Sequence, residues 1–288
     1  MKRMRLVLIT LLFSLLNPFI PIANENEIYA APAPVAKAKK QGSIDRRAFY
    51  RGLGKRLGKE RSAYPHLTDE QFANFRAVVT TGMGKGKLYR SSSPIRPWSE
   101  RNVIADHAAR AARVRTFVNL ADTEKAMRGY AGYPGSYYSG QAIIPLNLTV
   151  KFQGEPFRKG LARGIRFMAA NEAPFLIHCG LGKDRAGFVC AVLECLMGAT
   201  AQEVVADYLV SFYNYFGIEP GTGEYELVAD NEIRPSLARA FDVKDIESAN
   251  LSAAAERYLL GIGVSSGDIA VLRRKLGPGN TDSISGGN

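Results

Sequence analysis

The stretch HCGLGKDRAGF, residues 178–188, decides the interpretation of this chain of 288 residues. The apolar run PFLI, residues 174–177, precedes it, and the run FVCAVLECLMG, residues 188–198, follows it. The first run is typical of a buried strand and the second of a buried helix. Because glycine allows tight backbone turns, the pattern predicts a strand, a compact loop and a helix, with Cys179 at the end of the strand.

The chain has only three cysteines, and none lies before Cys179. Three thiols cannot build the disulfide framework of a small exported domain. Cys190 and Cys195 lie in the apolar run after the loop, where a buried thiol serves as a small hydrophobic side chain. Cys179 is therefore the cysteine whose position indicates chemistry.

The surroundings of Cys179 favour an ionised thiol beside a bound phosphate. Gly180 and Gly182 would let the loop amides point inward, and a helix that starts near Arg185 would direct its positive end at the same point. Amides, helix end and guanidinium together stabilise a thiolate. The same donors can hold phosphoryl oxygens, two of them in the fork of the arginine, so the loop predicts covalent phosphoryl transfer.

The loop HCGLGKDRAG resembles the phosphate-binding loop of the cysteine-dependent protein tyrosine phosphatases, where His-Cys is followed by five residues and Arg. It is most similar to the bacterial group with Gly-Lys-Asp-Arg in this loop, which is related to dual-specificity and phosphoinositide phosphatases. KLYRSSSP, residues 87–94, and FVNLAD, residues 117–122, also resemble that group. The resemblance extends over about residues 65–275.

The resemblance implies that Cys179 is a nucleophile that forms a phosphocysteine, and that Arg185 stabilises the charge of the transition state. The implied phosphate-binding residues are those that follow the cysteine: Gly180, Leu181, Gly182, Lys183, Asp184 and Arg185. The expected substrate is a phosphotyrosyl protein, with phosphoserine, phosphothreonine and phosphoinositides as further options. The resemblance implies no cofactor.

The chain departs from the family pattern at two positions. The family usually carries Ser or Thr directly after the arginine, where the hydroxyl helps the thiolate leave, whereas this chain has Ala186. We therefore expect slow hydrolysis of the phosphocysteine. The Trp-Pro-Asp segment that supplies the general acid in many relatives is also missing, because Trp98 precedes Ser99.

The general acid must therefore be another carboxyl group that reaches the mouth of the loop. Asp184 lies within the loop, and this residue has been a candidate for that role in the resembled group. Asp122 ends the strand-like run FVNLAD, and sites of α/β proteins gather at the carboxyl ends of strands. We slightly favour Asp184 over Asp122, with Glu124 as a third candidate.

Five further residues have structural or functional interpretations. Lys183 indicates either a multiply anionic substrate or an ordinary exposed lysine. His178 and Arg90 are expected to brace the loop from behind by hydrogen bonds. His66 and His107 have no partners at metal-ligand spacing, so no metal site is predicted.

The order of the elements predicts an α/β fold with a short central mixed sheet flanked by helices. Strands are expected in KLYRSSSP, RTFVNLAD, QAIIPLNL and PFLIHC, and helices in SERNVIADHAARAARV and PFRKGLARGIRFMAANE. Residues 123–139, rich in Gly and Tyr, are interpreted as a long mobile loop. Everything after Gly198 is expected to be helical, starting with a capping box at Thr200 and Glu203.

The N-terminus has the layout of a secretory signal peptide. MKRMR is basic, residues 6–16 are apolar, and small residues surround a candidate cleavage site after Ala30. An uncleaved anchor and a buried helix remain alternatives. We therefore expect a signal peptide at residues 1–30, a basic linker at 31–61, a phosphatase domain at 62–276 and a disordered tail at 277–288, in a secreted or envelope-associated bacterial protein.

The positive charge lies mainly in one segment. Residues 37–61 carry ten basic and two acidic side chains, a net of +8, and residues 1–36 have a net of +1, which leaves only +2 of the total charge of +11 for residues 62–288. Such a segment could contact an anionic cell envelope, or it could be a solvated linker or a surface helix. A nucleic-acid partner is not expected, because no aromatic residues or nucleic-acid motifs accompany the charge.

Three other functions are also compatible with parts of the sequence. A phytase-like inositol polyphosphate phosphatase would share export and the Cys-x5-Arg loop. A rhodanese-like sulfurtransferase also uses a looped cysteine, but His178 and the Gly-Lys-Asp-Arg run disfavour it. A phosphate-binding module that has lost turnover is supported by Ala186.

Overall fold

The computed structural model describes residues 44–279. The predicted signal peptide, the start of the basic segment and the end of the C-terminal tail lie outside the described residues. None of the helices within 44–279 is both long and apolar enough to cross a membrane.

The centre of the fold is a mixed sheet with the strand order β1-β2-β5-β3-β4. Strand β1 is antiparallel to β2, and the other neighbours are parallel. The strands are β1 Arg76–Ala77, β2 Leu88–Ser91, β3 Thr116–Asn119, β4 Ala142–Pro145 and β5 Phe175–His178. The predicted α/β class with a short mixed sheet is therefore confirmed.

Helices surround the sheet and form the C-terminal part of the described chain. They are α1 Arg46–Arg56, α2 Asp69–Phe72, α3 Arg101–Ala111, α4 Glu124–Gly129, α5 Glu155–Ala170, α6 Asp184–Met197, α7 Ala201–Phe216, α8 Gly223–Asn231, α9 Ile233–Phe241, α10 Leu251–Gly261 and α11 Ser266–Leu276. The capping box predicted at Thr200 and Glu203 starts α7.

Side chains of the central strand β5 alternate between two apolar clusters. Phe175 and Ile177 join a large cluster with α5, α6, α7 and the C-terminal helices, whereas Leu176 joins a smaller cluster with Phe117 and Tyr138. Both faces of the sheet are therefore covered, as expected for parallel strands. Helix α6 is buried along most of its length, which explains why its sequence is apolar on every side.

The first helix lies within the basic segment of residues 37–61. Asp45 caps α1 by accepting hydrogen bonds from the amides of Arg47 and Ala48. Phe49 and Leu53 are buried in the large cluster, while the basic side chains stay on the surface. This part of the segment is therefore a surface helix packed on the domain and not a solvated linker.

The region interpreted as a loop at residues 123–139 contains a short helix, so that interpretation was wrong in part. The side chain of Thr123 accepts a hydrogen bond from the amide of Ala126 and starts α4. An ion pair of Glu124 with Arg128 joins successive turns of α4. A capping residue followed by a pair at i,i+4 spacing stabilises even a short helix.

Candidate active site

The site lies where the parallel strands end. Cys179 follows β5 directly, and the last residue of β5, His178, is in register with Ser91 of β2 and Asn119 of β3. Loops from three strands therefore meet around the thiol, at the edge where α/β proteins bind ligands. The Cys179 side chain is almost completely buried.

The carbonyl groups of the loop after Cys179 are bound from behind. The amide of Ser93 donates to the carbonyl of Gly180 over 3.1 Å. The carbonyl of Leu181 accepts from Asn74 Nδ2 over 3.0 Å and from the Tyr215 hydroxyl over 2.6 Å. These donors come from segments far apart in the chain, so the loop is held by the whole domain.

Arg90 completes this support. Its Nη2 donates to the carbonyls of Gly182 and Lys183 over 2.9 and 3.0 Å. The guanidinium is fully buried and forms an ion pair with Asp207 over 2.6 Å. Burial alone would raise the pKa of Asp207, but Arg76 and Arg90 outweigh it and hold that pKa below its ordinary value. Arg90 therefore has the bracing position expected from the sequence.

The bound carbonyls fix the direction of the amides. In a planar trans peptide the N–H points away from the preceding C=O. Because the carbonyls of residues 180–183 are bound from behind, the amides of residues 181–184 point to the opposite side. Within residues 44–279, the amides of residues 181–183 donate no hydrogen bond to a protein acceptor, and neither does the amide of Gly180. Such a ring of free amides is an anion-binding concavity.

Glycine is required at one position of the loop. Gly182 has a φ of +69°, and a Cβ added there would lie 2.1 Å from the carbonyl oxygen of Ser91. Both the backbone conformation and the close approach to β2 exclude a side chain.

Arg185 lies in the first turn of α6. Its Nη1 donates to the carbonyl of Leu148 over 2.9 Å and, more weakly, to that of Leu120 over 3.4 Å. These carbonyls follow β4 and β3, so the loops of two neighbouring strands hold one side of the guanidinium. Within the described part of the chain, Nε and Nη2 have no protein acceptor, which leaves two donors for a ligand.

Asp122 is buried and fully bonded. Its Oδ1 accepts from Arg96 Nη2 over 2.7 Å and from the Tyr130 hydroxyl over 2.8 Å, and its Oδ2 accepts from Asn119 Nδ2 over 3.1 Å. Burial raises the pKa of Asp122, but the hydrogen bonds from Tyr130, Arg96 and Asn119 outweigh it, so the net pKa is lowered. In this arrangement Asp122 is a carboxylate.

Asp184, the other candidate acid, has different neighbours. Its Oδ1 is 2.5 Å from Lys183 Nζ, and its side chain is 36% exposed. Lys183 Nζ also lies 4.2 Å from the centre of the Phe212 ring. Lys183 is therefore partly buried and paired, not a freely solvated lysine. Glu124, the third candidate, pairs with Arg128 on the exposed face of α4.

His178 lies behind the cysteine. Its Nε2 is 3.1 Å from the Tyr138 hydroxyl, and burial lowers its pKa to about 4, so the ring is neutral at pH 7. The backbone carbonyl of His178 accepts from the amide of Leu120 and ties β5 to the loop after β3. These contacts make His178 a structural residue at the end of β5, whereas the hydrogen bonds that brace the loop carbonyls come from other side chains.

The other two thiols are also buried, and Cys190 lies near the charged side chains of Arg90, Glu194 and Asp207. Cys190 and Cys195 are buried in α6, and burial raises the pKa of both thiols. Ala186 is also completely buried and presents a methyl group where relatives carry a hydroxyl. Between residues 44 and 279, no cluster of three or more His, Cys, Asp or Glu side chains is arranged to hold a metal ion.

Sequence reasoning missed several residues of the site, namely Asn74, Arg76, Asp207, Tyr215, Arg96 and Tyr130. Most of them lie far from the loop in the sequence and reach it only through the fold. Arg96 was the most accessible of these to sequence reasoning, because it lies two residues after KLYRSSSP, residues 87–94, the stretch that resembles the phosphatase group.

Comparison with known proteins finds one family model that matches part of the chain. Residues 147–277 match the family model described as tyrosine phosphatase family. A solved structure, the core catalytic domain of the PP-IP phosphatase SIW14 from S. cerevisiae in complex with citrate, is similar with a TM-score of 0.34 and 17% identity, over 55% of this chain and 92% of that chain. None of the curated proteins matches significantly. The family match supports a cysteine-dependent phosphatase.

Proposed function

We propose that this protein hydrolyses phosphomonoesters through a phosphocysteine on Cys179, with phosphotyrosyl proteins as the principal substrate. The observation that carries this proposal is the loop itself. Its carbonyls are bound from behind and, in the described part of the chain, its amides have no protein acceptor and Arg185 has two donors without one, beside a cysteine at a strand end. This arrangement supports a site for three phosphoryl oxygens with the sulfur below the phosphorus.

The reaction would proceed in two steps. In the first, the Cys179 thiolate forms the S–P bond while the bond from phosphorus to the leaving oxygen breaks, and a carboxylic acid gives its proton to that oxygen. In the second, water attacks the phosphorus, the S–P bond breaks and the thiolate and inorganic phosphate are released. Arg185 and the loop amides stabilise the charge on the equatorial oxygens in both steps.

A substrate panel tests the proposal. Phosphate release is measured with p-nitrophenyl phosphate, a phosphotyrosyl peptide, phosphoseryl and phosphothreonyl peptides, a phosphoinositide and phytate. The Cys179→Ser variant serves as the control for the nucleophile. We expect turnover of the aryl phosphates by the wild type and none by the variant. Activity that survives in Cys179→Ser would overturn the mechanism, and preference for phytate would indicate the phytase-like alternative.

A catalytically weak phosphate-binding module is a second candidate function. It is favoured by Ala186, because the buried methyl group cannot assist the departure of the thiolate. This candidate predicts tight binding of inorganic phosphate with no release of phosphate from any member of the panel. Multiple turnovers with any substrate would exclude it.

We also propose that the protein is exported and contacts an anionic envelope surface through residues 37–61. Support comes from the basic helix α1, where Arg46, Arg47 and Arg51 line an open cleft of about 610 Å³ together with Glu232. Within the described residues, none of these three arginines forms an ion pair. Burial raises the pKa of Glu232, which weakens the one carboxylate in the cleft as a countercharge.

Vesicle binding tests the envelope contact. The wild type is expected to sediment with vesicles that contain phosphatidylglycerol and not with phosphatidylcholine alone. Replacing Arg46, Arg47 and Arg51 by Gln should abolish this binding. The matched control replaces three exposed arginines elsewhere, Arg110, Arg163 and Arg257, by Gln. Equal loss in both variants would attribute the effect to net charge and contradict a specific surface. Export itself predicts a mature protein that starts at Ala31.

A further inference from the structure

The mouth of the loop carries a second arginine, Arg96, which the two-step reaction above does not use. Its guanidinium stacks on the Trp98 ring, with 5.5 Å between Arg96 Cζ and the ring centre. A Cβ added at Gly180 would lie 2.9 Å from Trp98 Cζ2 and 3.5 Å from Arg96 Nη1. Both side chains therefore lie directly against the first residue of the phosphate cradle.

One nitrogen of the Arg96 guanidinium is available to a ligand. Its Nε and Nη2 are bonded to Asp122, over 2.9 and 2.7 Å, while Nη1 has no acceptor within residues 44–279. A quarter of the side chain is exposed, whereas the Asp122 carboxylate is completely buried. The arginine is thus the solvent-facing member of the pair, and it lies where a bound phosphoryl group would be within reach.

The same pair blocks Asp122 as an acid. A general acid must hold a proton, and a carboxylate that accepts bonds from Arg96, Tyr130 and Asn119 holds none. The nearby groups cannot supply one readily. His178 is neutral, with a pKa of about 4, and burial raises the pKa of Tyr138 far above neutrality. Arg185, which is bonded to the carbonyl of Leu120, adds only positive charge.

We propose that Arg96 is a phosphate-binding residue and that its transfer from Asp122 to a phosphoryl oxygen of the substrate turns Asp122 into the proton donor. When Arg96 turns to the substrate, the buried carboxylate loses its counter-ion beside a dianion and takes up a proton from water. That proton then passes from Asp122 to the leaving oxygen as the S–P bond forms. The resulting carboxylate can pair with Arg96 again after phosphate is released.

The physical basis is the balance of forces on Asp122. Burial raises its pKa, and only the hydrogen bonds and the Arg96 charge reverse this. Removal of the charged partner leaves burial and the remaining neutral donors, so the pKa must rise. A pair that served only to hold the two loops together would not require this exchange. The inference rests on the proposed function, because it needs a phosphoryl substrate in the loop.

Two kinds of measurement test the inference. The first is binding of inorganic phosphate by calorimetry, which needs no turnover. We expect Arg96→Met to weaken binding about tenfold, as for the loss of one charge-assisted hydrogen bond, and Arg96→Lys to weaken it less. The control Arg128→Met removes an arginine from an exposed pair with Glu124 and should leave binding unchanged. Unchanged binding in Arg96→Met would overturn the inference.

The second measurement is the pH profile with a phosphotyrosyl peptide, whose leaving group needs an acid. In the wild type, Asp122 should lose its proton at higher pH in the complex than in the free enzyme. Because slow hydrolysis of the phosphocysteine would govern kcat, the rate of phosphocysteine formation at saturating substrate is measured before the steady state. The basic limb of this rate should lie at higher pH than that of kcat/KM. In Arg96→Met the two limbs should come together. The same separation in both proteins would overturn the inference.

The two tests separate this inference from the proposed function. Absence of turnover in the wild type, with phosphate still bound, would refute the proposed phosphatase and would leave the binding role of Arg96 to be decided by calorimetry. Thermal unfolding of Arg96→Met and Arg96→Lys shows whether each variant is folded. If Arg96→Met fails to fold, Arg96→Lys decides, and its phosphate binding must then be weaker than that of the wild type.

Discussion

Two arginine–aspartate pairs adjoin the phosphate loop, and they differ in the burial of the arginine and in the number of its N–H groups that remain available to a ligand. Behind the loop, in the rear pair Arg90–Asp207, the arginine is fully buried and its Nη2 is used by loop carbonyls. At the entrance, in the mouth pair Arg96–Asp122, the arginine is a quarter exposed and its Nη1 has no acceptor among residues 44–279. An arginine–aspartate pair can therefore brace a site when the arginine is buried and its donors are used. It can bind the ligand when the arginine is partly exposed and has a free donor.

The largest effect on stability is expected at the rear pair. Arg90→Met would leave Asp207 buried next to Arg76 alone and the Gly182 carbonyl without its Arg90 donor, while the Lys183 carbonyl would keep only the amide of Gly187. The free energy of unfolding should fall by about 3–5 kcal/mol, as for other broken buried pairs. Urea denaturation measures this change, and Arg128→Met, in an exposed pair, should change it by less than about 1 kcal/mol. Equal effects of the two substitutions would contradict the bracing role.

The same pair gives a pH signature. Because the pKa of Asp207 is lowered in the folded state, its contribution to stability is present above the ordinary aspartate pKa, about 3.9. It is lost as the pH falls through the lower value of the folded state. Arg90→Met should therefore lose less stability on acidification than the wild type does. A steeper loss in the variant would contradict this explanation.

The next largest effect is expected on catalysis at the mouth pair. If Asp122 is the acid, Asp122→Asn should lower kcat/KM for a phosphotyrosyl peptide by about 10²-fold, because kcat/KM reports the first step whereas slow hydrolysis of the phosphocysteine governs kcat. The effect on p-nitrophenyl phosphate should be much smaller, because its leaving group departs without a proton. Asp184→Asn is the matched comparison, since Asp184 is the candidate that the sequence slightly favoured. If only Asp184→Asn loses more activity on the phosphotyrosyl peptide than on p-nitrophenyl phosphate, Asp184 is the proton donor. The mouth pair would then have no catalytic role that distinguishes it from the rear pair.

A smaller effect is expected from the loop backbone between the pairs. Gly182→Ala introduces a Cβ against the Ser91 carbonyl at a positive φ, at a cost on the order of 1–3 kcal/mol. Part of that cost should appear as weaker binding of inorganic phosphate, because the amides can no longer converge. The control Gly129→Ala has open space around the new Cβ. Phosphate binding that is unchanged in Gly182→Ala would show that the amides are not the phosphate ligands.

The smallest effect is expected directly after the loop arginine. Ala186→Ser would restore the hydroxyl that relatives carry and should speed hydrolysis of the phosphocysteine by roughly two- to tenfold, the size of one net hydrogen bond. Pre-steady-state kinetics with p-nitrophenyl phosphate separate this step from the first one. A second step that does not change would remove the argument from Ala186.

The sequence predicted the strand, loop and helix around Cys179 because their signals are local. Gly180 and Gly182, the apolar run of α6 and the His-Cys-x5-Arg spacing all lie within about twenty residues. It did not predict the supports of the loop. The carbonyl of Leu181 is bound by Asn74 and Tyr215, which are more than a hundred and more than thirty residues away. Side chains that meet only through the sheet and α7 leave no periodic or spaced signal.

The general acid could not be chosen from the sequence for the same reason, because it depends on contacts between residues that are distant in the chain. Asp184 and Asp122 could be named from their places at the loop and at a strand end, but nothing in the local sequence distinguishes a paired carboxylate from a free one. The structure adds the partners, Lys183 for one and Arg96 with Tyr130 for the other. Their chemical roles stay predictions that the variants above test.

The most direct test of the proposed chemistry is a search for the covalent intermediate. Wild type is mixed with p-nitrophenyl phosphate, quenched within milliseconds and examined by mass spectrometry of its peptides. We predict one added phosphoryl group on the peptide that contains Cys179, and none in Cys179→Ser. Turnover without that adduct, or an adduct on a different residue, would contradict a phosphocysteine mechanism.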